Sequence, residues 1–562
     1  MLGKTKILIV QVHLITYWMS PRSLISTESS RSISVPCARP GNYIQGGKLI
    51  DSTATTDPYI AVSYVWDTNY SFVEWEGRKV TSQALRIVKE LSKYTSYALW
   101  VDAICIPQDD APVKAVELKK MADIYRGAAA VLCLVPETDR TICTIVERAA
   151  ALMDMAGFRA LEEGGDTHGM YMFASQGSND ALRKLFGSRW WTRAWTFQEA
   201  VLNNATFVVG KNMETIPISD TLKICGPIGR RAATQKKEVL GQSSSFWDSL
   251  NSMKMAITDR MPLGAAMSNV WRRQCTVPHD MAYSLLGVCR LEEIKPDYRL
   301  PLEEVFTDLV EKASSKGDFS WLRWSHLIDR SDSSRRTSMV PIPAAIKDAP
   351  ASAITVWHSI KIPQIPSPIR GGDFGVCIPH RSTGVVRQQS NPEGIQRTIK
   401  ILQDLSYSPE EIWNLLFGMH VGLASDIDRA AGGSGLAQSL LTLTSGYIDG
   451  TLDPSSSTDD MVGEKPYTRG YGLTSYASMA AKVWKDTRLC VMQSQGGTTV
   501  VPAGIKSGQA RIHKLPVESH STRDACLCLV VHDNTRYQVS AVGVMIERAH
   551  AGSGAWQLTR FS

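Results

Sequence analysis

The chain has 562 residues, of which 43% are hydrophobic and 21% charged, and it carries a formal net charge of +6. This is ordinary globular composition, on a chain too long for one core. So mild a charge leaves no concentrated basic stripe, which argues against nucleic acid as a partner; the cluster Arg230-Arg231 with Lys236-Lys237 reads as a solvated loop. The 11 cysteines are scattered, without the C-x-x-C spacing of a zinc site, and no H-E-x-x-H occurs, so no metal site is expected. Cys105 and Cys133 lie in apolar runs and read as reduced core thiols, which fits a cytoplasmic protein.

Lys4 and Lys6 precede the apolar run Ile7-Leu8-Ile9-Val10, but Gln11 and His13 interrupt it. The stretch is too short and broken to span a membrane and has no small-residue cleavage site. No membrane association is expected, and residues 1–58 read as an irregular segment, with Ser, Pro and Gly throughout 20–58. A regular alternation then begins. Tyr59 to Tyr64 is a short apolar strand. Ala84, Ile87, Val88 and Leu91 give residues 82–94 a helical face, and Ala98 to Asp102 is a second strand. Leu118, Met121, Ala122 and Tyr125 form another helix face, and Ala129 to Val135 is a third, buried strand closed by Pro136. Residues 141–158 read as a helix, 162–180 as an insertion loop, 190–202 as a Trp-rich helix and 205–209 as a strand. Strands separated by helices of this length predict a doubly wound parallel α/β sheet over 59–210.

Residues 211–330 read as a helical extension, with a helix entry at Pro278 and Asp280 and a stop or kink at Gly287. Residues 331–370, rich in Ser, Arg and Pro, read as a linker. Residues 371–562 form a mixed region: strand-like to 400, helical over 402–445 with a break at Gly432–Gly435, polar over 449–470, and β-rich from 488 onward.

Open parallel sheets bind ligands outside the carboxyl ends of their strands. The first strand ends in Ser63, Tyr64, Trp66 and Asp67, and the second in Asp102, followed by Gln108, Asp109 and Asp110. Emerging on one edge, these groups offer carboxylates, a hydroxyl and aromatic faces, which suits a ligand with a ribose and a base. The same residues also permit a plainer reading, in which Tyr64 and Trp66 pack a core and the acids cap helices. Further on, Trp191, Ala194, Trp195, Gln198 and Leu202 share one face at helical spacing, with Glu199 at its margin. A carboxylate beside indoles ionises against a desolvation cost unless it is paired, and Arg189 or Arg193 is within sequence reach. Glu199 is therefore either a ligand-gripping acid or half of a helix-locking ion pair. No P-loop and no G-x-S-x-G elbow occurs.

Four blocks in order resemble the heterokaryon-incompatibility (HET) domain of filamentous fungi: Tyr59 to Trp66, Leu99 to Asp110, Met121 to Ala128 and Arg189 to Glu199, with Pro21-Arg22-Ser23-Leu24-Ile25 as lead-in. The segment 272–287 is similar to what often follows. Asp67 stands where that family commonly has Gly, and Pro107 where it commonly has Asn. The family is in turn similar to Toll/interleukin-1 receptor (TIR) domains. Val62-Ser63-Tyr64 resembles their first-strand box, and Trp195 with Glu199 has their Trp-x-x-x-Glu spacing, with Thr196 where Cys is frequent. The resemblance implies a TIR-like, flavodoxin-like N-terminal domain in a protein of fungal non-self recognition and programmed cell death. It makes Glu199 the candidate catalytic residue for cleaving NAD, as a substrate rather than a resident cofactor. Ser63, Tyr64, Trp66, Asp102, Gln108 and Trp195 are the candidate binding residues. It further implies self-association and an allelic or receptor-type protein partner. The competing expectation is a non-enzymatic module that transmits a death signal by self-assembly.

Overall fold

A computed structural model describes residues 42–45, 48–51, 58–66, 71–108, 110–154, 176–235, 238–258, 261–271, 273–325, 340–342, 376–385, 387–388, 393–418, 421–431, 434–452, 473–484, 488–494, 497–502, 510–515, 525–532, 538–547 and 557–561. The expected linker 331–370 falls outside these apart from 340–342, as do Asp67, Asp109 and most of the 162–180 loop.

The N-terminal half opens with strands β1 (Asn42–Gln45), β2 (Lys48–Asp51), β3 (Tyr59–Ser63), β4 (Phe72–Trp75) and β5 (Arg78–Thr81), then helix α1 (Ser82–Leu91). Strand β6 (Ala98–Val101), the short α2 (Asp102–Cys105), α3 (Ala111–Gly127), β7 (Ala130–Leu134), α4 (Arg140–Asp154) and α5 (Gln176–Gly187) follow. A 3₁₀ turn (Arg189–Thr192), α6 (Thr196–Val201), β8 (Thr206–Val209) and β9 (Thr215–Pro217) complete the first sheet. Its seven strands run in the order β2-β1-β6-β3-β7-β8-β9. The four central strands are parallel, with Tyr59 opposite Ala98 and Ser63 opposite Cys133. Every residue of β3 and β6 is buried, as expected where helices cover both faces of a parallel sheet.

Sequence order and spatial order together place the site. The chain starts in the middle at β3, moves to one side for β6, then crosses back to β7 and on to β8. With right-handed crossovers such an order sends successive helices to opposite faces and opens a crevice where the direction reverses, between β3 and β7. Thr81 caps α1, its hydroxyl accepting from the Ala84 N–H at 3.2 Å; Asp110 caps α3 by accepting from the Val113 N–H at 3.0 Å.

Several expectations need correction. The span 20–58 is not wholly irregular: β1 and β2 form a hairpin whose Ile44 pairs antiparallel with Leu99 and extends the sheet. The sheet also continues beyond 210 through β9. The Trp-rich segment is not one helix. It is a 3₁₀ turn, an extended residue Arg193 and a short α-helix, so the stripe through Trp191, Trp195 and Gln198 does not share a continuous helical face. The stretch Arg230-Arg231 lies in α7 (Ile218–Gln235), not in a loop.

The remaining helices of the extension are α8 (Ser244–Thr258), α9 (Leu263–Val270), α10 (Asp280–Tyr283), α11 (Leu302–Ser315) and α12 (Leu322–Ser325). The C-terminal region holds β10 (Val376–Val385), β11 (Arg387–Gln388), α13 (Ile395–Asp404), α14 (Pro409–Phe417), α15 (Ala424–Ala431), α16 (Ala437–Asp449) and α17 (Leu473–Val483). Within 371–400 the described strands are β10 and β11, and a helix starts at Ile395. Strands β12 (Leu489–Ser494), β13 (Gly497–Pro502), β14 (Ala510–Lys514), β15 (Ala525–His532), β16 (Gln538–Glu547) and β17 (Gln557–Phe561) join β10 and β11 in an eight-stranded antiparallel sheet. Among the described residues α11 packs on β10 and α12 on β16, which docks it to the extension. Among the described residues no helix is long and apolar enough to cross a membrane.

Candidate functional site

Ser63 is the last residue of β3, and its hydroxyl leaves the sheet on the face covered by α6. There it donates to Glu199 Oε2 and accepts the Trp190 indole N–H at 2.7 Å. The alternation of side chains along a strand sends Tyr64 the other way. The 3₁₀ turn sets Trp190 over the strand end, and the following α6 brings Glu199 beside it. Ser63 thus meets Trp190 and Glu199 at one strand end although it lies 127 and 136 positions from them in the sequence.

Glu199 is 6% exposed. Burial raises its carboxyl from 4.5 to about 7; Arg193, the Ser63 hydroxyl and Arg273 pull it down, and Asp102 pushes it up. Of the two arginines within sequence reach, Arg193 is the one that faces this acid, and it acts through space: its guanidinium donates to the Tyr64 carbonyl at 2.8 Å. Arg189 is exposed. Arg273, from the extension, is 4% exposed and donates to the carbonyls of Trp191 (3.1 Å) and Arg193 (3.2 Å), to the Thr196 hydroxyl (3.3 Å) and to Asn269 (2.7 Å). It therefore braces the turn that leads into the helix carrying Glu199. Burial lowers its own pKa to about 9, a shift opposed by Glu199.

Asp102 follows β6 on the same edge of the sheet. Burial raises its carboxyl; the charge of Arg193, the Ala103 N–H at 2.6 Å and the Trp66 indole oppose the rise. Asp280 is a second acid here, raised by burial and held by the Trp195 indole and the Tyr298 hydroxyl (2.9 Å). Tyr64 is buried, and burial with Asp102 nearby pushes its phenol up. Gln108 is turned into the loop itself, donating to the carbonyls of Asp102 and Ile106.

Of the candidate residues, then, Ser63 and Glu199 are in direct contact. Asp102 feels the charge of Arg193 and is held by the Trp66 indole, Trp195 holds Asp280, and Gln108 holds its own loop. Trp190, Arg273 and Asp280 were not singled out from sequence. Their signal was position alone: Trp190 lies in the Arg189–Glu199 block, and Arg273 and Asp280 lie in the 272–287 segment. Among the described residues no group of three His, Cys, Asp or Glu side chains could hold a metal ion. A cleft of about 770 Å³ opens on the same edge, lined by Tyr64 and Trp66 after β3, Pro136 after β7, Gly210 after β8 and the flank of α1; Ser63, Asp102 and Glu199 do not line it.

Fold and site together define a doubly wound α/β domain with a buried acid at the strand-end edge of its sheet. Residues 59–199 match the family described as Heterokaryon incompatibility protein (HET), a match that ends at Glu199. No curated protein and no solved structure matches the chain.

Proposed function

We propose that the protein is an effector of heterokaryon incompatibility whose activation leads to cell death, and that its chemistry is cleavage of the nicotinamide–ribose bond of NAD. Water adds to the anomeric carbon, nicotinamide leaves with the bonding pair, and the transition state resembles an oxocarbenium ion. A carboxylate aids this by gripping ribose hydroxyls and favouring the positive charge. Glu199 takes that role, Ser63 and Asp102 orient the sugar, and Trp66, the more exposed of the two strand-end aromatics, stacks on a ring. The reading rests on one observation, the meeting of Glu199 with Ser63 beside Asp102. The parallel order β6-β3-β7-β8 and the TIR-type spacing of Trp195 and Glu199 support it. For substrate to reach the acid, the Ser63 hydroxyl must turn away from it.

A second reading, a non-enzymatic module that signals by self-association or through an allelic or receptor-type partner, draws support from the burial of Glu199 outside the cleft. The purified full chain is incubated with NAD at several protein concentrations and nicotinamide is measured. We expect release that steepens with concentration and is lost in Glu199→Gln. Undiminished NAD consumption by Glu199→Gln removes the catalytic assignment, and killing of cells without NAD loss favours the second reading.

A further inference from the structure

The cleft on this edge lies where the strand order reverses, the place where open α/β sheets take ligands. Its volume of about 770 Å³ is that of a small-molecule site. Val65, Ile87, Leu134, Val209 and Met213 give it an apolar lining, and Trp66 supplies an aromatic wall. The rim is cationic, with exposed Arg86, Arg189 and Lys211. The two acids there are Glu90, bonded to Lys93 at 2.6 Å, and Glu137.

Met213 has φ +65°, a left-handed conformation that Gly or Asn adopts more readily than a bulky residue. The turn that imposes it is closed by the Gly210 N–H on the Glu214 carbonyl (2.8 Å) and the Met213 N–H on the Gly210 carbonyl (3.1 Å). A bulky side chain held in such a conformation at a cleft wall points to a role for that side chain. The cleft shares Trp66 with the NAD reading but not its acid: Ser188 and Arg189 line the cleft, whereas the next residue, Trp190, is buried and bonded to Ser63, and Glu199 does not line it.

We propose that this cleft binds a planar metabolite of mononucleotide size that carries a phosphate. The ring lies against Trp66 and Met213, and the phosphate lies at Arg189 and Lys211, where cations recognise its oxygens. The proposal goes beyond the NAD reading: it shares Trp66 with that reading but needs neither Glu199 nor cleavage of NAD.

The test is calorimetric titration of the full chain with adenosine 5′-monophosphate, adenosine and inorganic phosphate. We expect the monophosphate to bind, with adenosine and phosphate each weaker by about tenfold or more. Joint Arg189→Glu and Lys211→Glu exchange should weaken the monophosphate by about tenfold or more without lowering the unfolding temperature. Met213→Gly should weaken it while leaving the unfolding temperature equal or higher. Glu199→Gln should leave it bound within about twofold, which separates failure of this site from failure of the NAD chemistry. The proposal is overturned if the monophosphate does not bind at millimolar concentration, if free phosphate binds as well, or if either the charge exchange or Met213→Gly leaves affinity unchanged. Loss of binding in Glu199→Gln overturns it too.

Discussion

Glu199 is a carboxyl that the fold prefers to keep protonated, and this has a measurable consequence for stability. Its pKa stands at about 7 in the folded chain against an ordinary 4.5. Between these values the native state holds a proton that the unfolded chain has lost. The stability it contributes is full below the ordinary value and is lost as pH rises to about 7, by up to about 3 kcal/mol. Glu199→Gln removes this dependence. Urea unfolding from pH 5 to 8 should therefore show the parent losing stability relative to the variant as pH rises. A constant difference between the two would show that Glu199 ionises in the fold as freely as in water. Arg273 tempers the same effect. It is a buried cation that lowers the cost of an ionised Glu199 while tying down the carbonyls of Trp191 and Arg193.

At the scale of elements, the acid's helix α6 is wedged between α3 and the turns after α10, and Gly287 permits the fit. A Cβ at Gly287 would stand 2.4 Å from the Ala122 Cβ, 3.0 Å from Leu202 Cδ1 and 3.2 Å from Gln198 Oε1. The glycine serves close approach, not the helix stop that its place in the sequence implied. Gly287→Ala forces α3 or α6 to move, and overpacking of this kind costs roughly 1–3 kcal/mol. The expected outcome is a lower unfolding temperature together with faster amide exchange in 196–201. An unchanged melt would mean that the two helices slide without cost. The rebuilt Trp-rich segment belongs to this scale too. Periodicity places Trp191 and Trp195 on one helical face, but extended Arg193 interrupts the helix, and the Trp190 indole thereby reaches Ser63.

For the molecule as a whole, the heterokaryon-incompatibility segment is not closed on itself. The Gln274 N–H donates to the Thr192 carbonyl at 2.5 Å and the Ala194 N–H to the Gln274 carbonyl at 2.9 Å, so the extension adds a strand-like bridge beside the acid's segment. One core joins Tyr43 of the first hairpin to Ile546 of the C-terminal sheet, and a smaller cluster around Met492, Ile512 and Met545 forms a second core among its strands. A fragment limited to 59–210 lacks the β1–β2 hairpin, β9, Arg273 and Gln274. It should show no cooperative melt by circular dichroism, whereas the full chain does. A sharp transition in the fragment would mean that these contacts are dispensable.

The sequence alone determined the parallel strands β3, β6, β7 and β8 and the helices α1, α3 and α4 between them, because apolar runs of strand length and faces of helical period are local signals; it showed neither the β4–β5 pair nor the break at Arg193. It also picked out Ser63 and Glu199 as residues of interest. Tertiary structure decided the rest. The hairpin at 42–51 is legible only by its partner β6, since four-residue strands carry little pattern of their own. That the Ser63 hydroxyl meets the Glu199 carboxyl, that Arg193 and not Arg189 faces the acid, and that Arg273 arrives from outside the matched segment all follow from packing between distant residues. Local sequence records the chemistry of each group; which groups share a desolvated space is set by chain topology, and burial in that space gives the acid its altered affinity for a proton.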